Sequence, residues 1–410
     1  MKIGFLGNAN NVPFMLARAL LKLGHEVLFI VDRGPVLSWE KLNRPENAYS
    51  DITIPYPKWI YDASPLDLWQ SPFYTPKRAK VVRMMQNCDA VVLNEFGVSL
   101  SGDIRRPAIA LLTGTDLEVL ADYAYLNHFG GSGQDKSISS LFKNIIWKLV
   151  YEPHYRRCIT AQRDGIRAAI AVIYPARGFL PRGDALLDEI GVHDSQRISF
   201  TYMTDLEKNQ LQPPPDNSTI RVLCMARLTW KKPKGDKITC EMDYKGSDIM
   251  IRGLGLFFRV TGIRLDIRLI KKGAHIPEIV QLLEEEGIAD QVTWIEEMSH
   301  MAVLEENKAA DIIFEQLGVG LVGLGCMDAM AIGRPVIANG RPDIMKRVFG
   351  EELPICHATN AEEVCAQLQR LVASPEERKG VGIASHKYVK EKFAPEILAE
   401  ECVKRLKKAL

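Results

Sequence analysis

Residues 2–31 read KIGFLGNANNVPFMLARALLKLGHEVLFIV, and this stretch decides the fold. KIGFL is a short apolar run that ends at Gly7, and the loop Gly7-Asn8-Ala9-Asn10-Asn11 follows. Phe14, Leu16, Ala17, Leu20 and Leu21 then recur at helical spacing before Gly24 closes the turn. HEVLFIV is the next strand. Strand, glycine loop, helix, strand is a βαβ unit, which implies a parallel sheet with its ligand-facing loops at the carboxyl ends of the strands.

DAVVL (89–93), AIALL (108–112) and AIAVIYP (169–175) read as later strands of the same sheet. FGGSGQDKS (129–137) is a Gly/Ser-rich loop, and SSLFKNIIWKLVYEPHYRRC beyond it reads as a helix broken near Pro153. LEKNQLQPPPDNST (206–219) carries Pro213, Pro214 and Pro215, which fit neither a helix interior nor a central strand. A linker is expected there, between domains at 1–205 and 220–392. IRVLCMARL (220–228), RLDIRLI (264–270), QVTWI (291–295), DIIFEQL (311–317) and RPVIANG (334–340) supply the second set of strands, and the end is helical. The fold class is α/β: two Rossmann-like parallel-sheet domains in tandem, expected to face a central cleft.

Composition agrees with an ordinary globular chain: 410 residues, 47% hydrophobic and 25% charged, enough for two or three domains. Lys+Arg 52 against Asp+Glu 51 excludes a basic nucleic-acid wrapper and an acidic disordered tail, so no nucleic-acid partner is expected. Eight cysteines are scattered with no C-x-x-C pair, mostly inside apolar runs, which fits buried thiols in a reducing cytosol. MKIGFLGNAN lacks the apolar core of a signal peptide, and no run approaches the roughly 20 apolar residues of a membrane span. A cytoplasmic protein is expected.

The densest chemical signal is DIIFEQLGVGLVGLGCMDAMAIGRPVIA (311–338). Gly318, Gly320, Gly323 and Gly325 lie between a strand and a helix beginning near Cys326. Glycines let a backbone approach a ligand closely, and exposed N–H groups at a helix start favour an anion. Asp328, in the first turn, either accepts from a ribose diol or caps the helix itself. A tight strand–helix packing loop is the plainer alternative.

GLVGLGCMDAMAIGRPVIA (320–338) resembles the C-terminal signature of family-4 retaining glycosyltransferases of GT-B architecture: a Glu, a Gly-aromatic-Gly turn, a second Glu leading Ala-Met-Ala, then Gly-x-Pro-Val-Ile. Asp328 stands for the second Glu, followed by Ala329-Met330-Ala331 and Gly333-Arg334-Pro335-Val336-Ile337. The first Glu falls at Gly320, so the chain resembles a subgroup with a degenerate Glu-x7-Glu motif, whose Asp-Gln strand end is matched by Glu315-Gln316. LGNANNVPFMLARALLKLGHEV (6–27), with Ala9-Asn10-Asn11, resembles that subgroup's first loop and helix. LLTGTDLE (111–118) resembles the loop where many relatives carry His-Gly-Thr-Asp, with Thr113 in place of the His. ARLTW (226–230) and YKGSDIMIRGL (244–254) resemble the Arg strand end and Lys-Gly turn that hold the donor diphosphate, here separated by the insert 231–243.

The resemblance implies transfer of a sugar from a nucleotide donor, a UDP-sugar by preference, to a carbohydrate, glycolipid or metabolite acceptor, as in surface polysaccharide assembly. It implies retention of configuration with the departing phosphate as base, and a last helix (393–410) that crosses back to the first domain. Breaking the glycosidic bond leaves negative charge on phosphate, and preorganised cations and N–H groups aimed there lower the barrier most. Arg227 can grip phosphate bidentately and Lys245 supplies a point charge. A surface salt bridge is the alternative for Arg227, and Lys231, Lys232, Lys234 and Lys237 compete with Lys245.

Gly320, Gly323, Leu324 and Gly325 are expected to hug phosphates and sugar, Asp328 to hold the ribose, and Glu315 and Gln316 to take over part of the missing Glu's work. Trp294 lies either near the nucleotide base or in the core. On the acceptor side, Asn8, Asn10 and Asn11 suit hydroxyl recognition or turn-making. Thr113 is expected to contact the transferred sugar, and Asp116 to orient a hydroxyl or cap a helix. D-x-D and metal-ligand spacings are absent, so the expected chemistry is metal-independent, with no cofactor beyond the donor. FKNIIWKLVYEPHYRR (142–157) mixes aromatic and basic residues, as does a helix lying peripherally on the inner face of a membrane, though such helices also pack on their own domain. The alternatives are a degenerate GT-B protein that binds nucleotide or a partner without turnover, and a sugar-nucleotide epimerase.

Overall fold

The computed structural model describes residues 1–32, 44–66, 68–69, 75–128, 145–199, 203–230 and 244–410. The Gly/Ser-rich loop 129–137, residues 142–144 of the aromatic-basic stretch and the insert 231–243 lie outside the described residues. The chain divides into two compact units. Unit 1 comprises Met1–Tyr174, Pro181–Phe200 and Leu398–Leu410, and unit 2 comprises Pro175–Leu180 and Thr201–Ile397.

Unit 1 is built on an all-parallel seven-stranded sheet in the order β3-β2-β1-β4-β5-β6-β7. Its strands are β1 (Lys2–Leu6), β2 (Glu26–Val31), β3 (Ile60–Asp62), β4 (Ala90–Leu93), β5 (Ala108–Leu111), β6 (Ala171–Tyr174) and β7 (Arg197–Ser199). β4, β5 and β6 are buried at every residue, which is why they read as unbroken apolar runs. The helix Val12–Lys22 carries Pro13 in its first turn, where a missing N–H is harmless, and Asn8 Oδ1 accepts from Phe14 N–H at 3.2 Å. Phe14 from this helix packs edge-on against Phe29 of β2, with ring centroids 5.0 Å apart. Burying an aromatic of this size is worth roughly 2–3 kcal/mol.

Unit 2 repeats the plan with six parallel strands in the order β10-β9-β8-β11-β12-β13. These are β8 (Arg221–Cys224), β9 (Asp266–Ile270), β10 (Val292–Ile295), β11 (Ile312–Phe314), β12 (Val336–Ala338) and β13 (Cys356–His357). Val222, Ile267, Leu269, Ile312 and Phe314 centre its core. The Pro-rich stretch 206–219 lies within unit 2, where Gln212 N–H donates to Ile332 O and Arg334 donates to the carbonyls of Gln212 and Pro213. The helices Leu324–Ala331 and Pro375–Lys392 meet through glycine. A Cβ on Gly382 would stand 2.0 Å from Gly333 O.

Three strands and two helices differ from the sequence expectation. β3 (IYD), β7 (RIS) and β13 (CH) are short and carry polar residues, so they do not show as apolar runs. Pro153 does not break its helix: a π-helical turn at Trp147–Tyr151 leads into the helix Glu152–Ala168, and Pro153 sits in the first turn. The helix near Cys326 begins at Leu324, so Asp328 lies in its second turn and is not a cap. The seven described cysteines are free and buried. No helix among the described residues is long and apolar enough to cross a membrane.

Candidate functional site

In unit 2 the loops at the carboxyl ends of β8 and β11 are laced together. Leu228 and Thr229 follow exposed Arg227, and Thr229 O accepts from Lys245 N–H at 3.1 Å. Lys245 O in turn accepts from Leu317 N–H (2.9 Å) and Gly318 N–H (3.2 Å) in the loop after β11. Gly246 has φ +69, and a Cβ there would lie 2.7 Å from Gly318 N, so only glycine lets the two chains approach this closely. Lys245 Nζ donates to Gln316 Oε1 at 2.8 Å, and Gln316 Nε2 donates to Leu321 O. The ammonium of Lys245, the Gln316 amide and the Gly-rich loop therefore form one connected piece, with Arg227 on the strand end beside it.

Glu315 lies beneath the start of the helix Leu324–Ala331. Each carboxylate oxygen would be 3.6 Å from a Cβ on Gly323, and Oε2 has no hydrogen-bond partner among the described residues. Burial pushes its carboxyl above the usual range, against the opposing Lys245 charge and the N–H groups of Gln316 and Gly323. At Gly320 the backbone has φ +77, and a Cβ would stand 2.6 Å from Arg341 Cγ and 2.7 Å from Asn339 Nδ2. A side chain at this position is therefore both strained in its backbone and crowded by Arg341 and Asn339.

Asp328 is 5% exposed and is the hub of a polar cluster. Oδ1 accepts from Thr204 Oγ1 at 2.5 Å and from Asn209 Nδ2 at 2.9 Å, while Oδ2 accepts from His300 Nε2 at 2.8 Å. Burial works against the His300 imidazolium, but its hydrogen bond to Asp328 and that residue's charge outweigh burial and the nearby Lys208, so its pKa is raised. Trp294 lies on β10 and packs against the apolar core of the unit.

Unit 1 has its own polar network at the same edge of its sheet. Asp116, fully buried, accepts from the N–H groups of Thr113 (2.8 Å) and Gly114 (2.9 Å) and from Asn94 Nδ2 (2.9 Å). Thr113 Oγ1 donates to it as well, at 3.3 Å. Burial pushes the Asp116 carboxyl up to about 6, those hydrogen bonds notwithstanding. Asn8 Nδ2 donates to Asn11 Oδ1 at 2.8 Å, and Asn8 N–H donates to Glu95 Oε2 at 3.3 Å. Asn8 and Asn11 are buried while Asn10 is exposed. Asn10, Asn11 and Glu95 all adopt positive φ. Such backbone persists only where the surroundings over-determine it, and it gathers at functional sites.

No protein-family model and no curated protein matches the chain, but solved structures do. Sucrose-phosphate synthase from Thermosynechococcus elongatus is 15% identical, with 100% of this chain and 99% of that one covered at a TM-score of 0.60. Anabaena HepE, solved with UDP and glucose, is 15% identical over 100% of both chains at 0.62. A glycosyltransferase from Rickettsia africae is 12% identical over 99% and 97% at 0.59. The fold is GT-B.

On this GT-B chain, the structure groups Lys245, Glu315, Gln316 and Gly323 in unit 2, and Asn8, Asn11, Thr113 and Asp116 in unit 1, while Trp294 stands apart, partly buried against the core of unit 2. Sequence reading missed Thr204, Asn209, His300, Asn94 and Glu95. The first three reach Asp328 from distant stretches of chain, with no local spacing to betray them. Asn94-Glu95 ends β4 as Asn8 follows β1, a strand-end position that is a usable signal.

Proposed function

We propose that this chain is a glycosyltransferase that moves a sugar from a UDP-sugar to a hydroxyl of a carbohydrate, glycolipid or metabolite acceptor, with retention of configuration and without a metal ion. The observation that carries the reading is the connected piece at the carboxyl edge of the second sheet: Lys245 tied to Gln316 and to the Gly-rich loop, beside Arg227 and the helix start at Gly323. The GT-B fold, shared with HepE as solved with UDP and with UDP-glucose, supports a nucleotide sugar as donor.

The chemistry follows from charge. The bond between the anomeric carbon and the phosphate oxygen breaks, and its electron pair leaves on the diphosphate. The acceptor oxygen bonds to the anomeric carbon, and its proton passes to the departing phosphate. Lys245 and the Leu324 N–H at the helix start are fixed before the charge appears, and Arg227 adds a bidentate grip. Each such donor is worth about 3 kcal/mol of barrier. Glu315 and Gln316 stand in for the glutamate absent at Gly320. Asn8, Asn10, Asn11 and Thr113 serve the acceptor and sugar side.

Titration with UDP, followed by assays with a panel of UDP-sugars and acceptors in the presence of EDTA, tests this reading. Tight UDP binding with a transfer rate that EDTA leaves unchanged is the expected result, and Arg227→Ala should lower that rate about a hundredfold. Binding without turnover across a broad acceptor set would instead indicate the inert protein, and donor conversion without acceptor the epimerase.

A further inference from the structure

Asp328 sits one turn into the helix Leu324–Ala331, which Gly323 precedes, and its carboxylate is committed to its own chain. Oδ1 takes two donors and Oδ2 one, and only 6% of the side chain is exposed. The group that this cluster presents to solvent is His300, whose side chain is 43% exposed. Donation from Nε2 to Asp328 fixes the imidazole, and no described residue takes Nδ1. His300 follows β10 and so stands at the same sheet edge as the Gly-rich loop. Asp328 lies five residues beyond Gly323, about 7.5 Å along the helix axis at 1.5 Å per residue. That is comparable to the reach from a 5′-phosphate at the helix start across the attached ribose.

We propose that His300, positioned by Asp328 with Thr204 and Asn209 behind it, binds the ribose hydroxyls of the donor nucleotide through Nδ1. Asp328 is then a positioning residue, and the sugar-edge contact passes to a histidine 28 positions earlier in the chain. A hydroxyl both donates and accepts, so it pairs with Nδ1 as a lone pair in the neutral ring or as N–H in the cation. A phosphate oxygen pairs only with the cation. Asp328 and Lys208 are the charged groups that bear on the ring among the described residues.

The inference rests on the nucleotide-donor reading above, and the experiment separates the two. The full chain is titrated with UDP, GDP and ADP, and the tightest of these is compared with its 2′,3′-dideoxy analogue, for the wild type and for His300→Ala. Loss of one ligand hydrogen bond predicts a weakening of about three- to tenfold for the ribonucleotide, with the dideoxy nucleotide unaffected. His300→Gln, whose amide offers Asp328 a donor and the ribose an acceptor, should recover part of the loss. Equal weakening of both nucleotides, or no weakening, overturns the role of His300 and leaves the donor reading standing. Failure of all three nucleotides to bind the wild type overturns both. A thermal melt of each variant reports folding.

Discussion

Lys245 Nζ donates to Gln316 Oε1 at 2.8 Å, so a neutral amide holds the cation at the mouth of the Gly-rich loop. A neutral acceptor orients the ammonium without cancelling its charge. Gln316→Glu would replace the amide with a carboxylate, and affinity for UDP should fall tenfold or more in calorimetric titration; the unfolding midpoint should fall as well, because the buried Nε2 donor to Leu321 O is lost. Lys245→Ala should lower transfer about a hundredfold at saturating donor.

Gly320 is strained against any side chain. With φ +77 and Arg341 Cγ 2.6 Å from any Cβ, Gly320→Glu and Gly320→Ala should both lose about 2–3 kcal/mol in urea unfolding. Equal losses in the two variants would trace the cost to the backbone and Cβ rather than to the added charge.

Asp116 makes stability fall with pH. Its folded pKa of about 6 lies above its ordinary value of 3.8, so the folded state holds the proton longer than the unfolded chain does. Stability should therefore decline as pH rises between those two values and level off above them. Asp116→Asn should abolish that slope. It should also cost about 1–3 kcal/mol at neutral pH, because its NH2 would face one of the donors Thr113 N–H, Gly114 N–H or Asn94 Nδ2.

His300 works in the other sense. Its folded pKa is raised above the ordinary 6.5, chiefly by Asp328 against burial, so its contribution is complete below that value and is lost as pH rises through the folded pKa. Urea midpoints measured across neutral pH should drop over this window in the wild type. Asp328→Asn should flatten the drop.

Much of the fold was legible because parallel strands buried on both faces leave unbroken apolar runs, as in AVVL of β4 and AIAL of β5. The edge strands β3 (IYD) and β13 (CH) are short, partly exposed and carry polar residues, so they leave no such mark. Pro153 misled because a proline stops a helix only from within, and here it falls in the first turn of the α-helix, straight after a π-helical turn. At the candidate site, local motifs pointed to Lys245, Gln316 and Gly323 because their pattern is short and continuous. The partners of Asp328 come from residues 204, 209 and 300, a pairing that only the folded sheet brings about. The blocked space at Gly320 is equally invisible in sequence, since it depends on Arg341 and Asn339 arriving from beyond β12.

The glycine contact between Gly333 and Gly382 gives the helix Leu324–Ala331 a seat from behind. Its open end addresses whatever ligand the loop receives, while its rear is lodged against another backbone with no room for even a methyl group. A side chain at position 382 would have to displace that backbone, so the seating of the helix constrains a residue that takes no part in the loop itself.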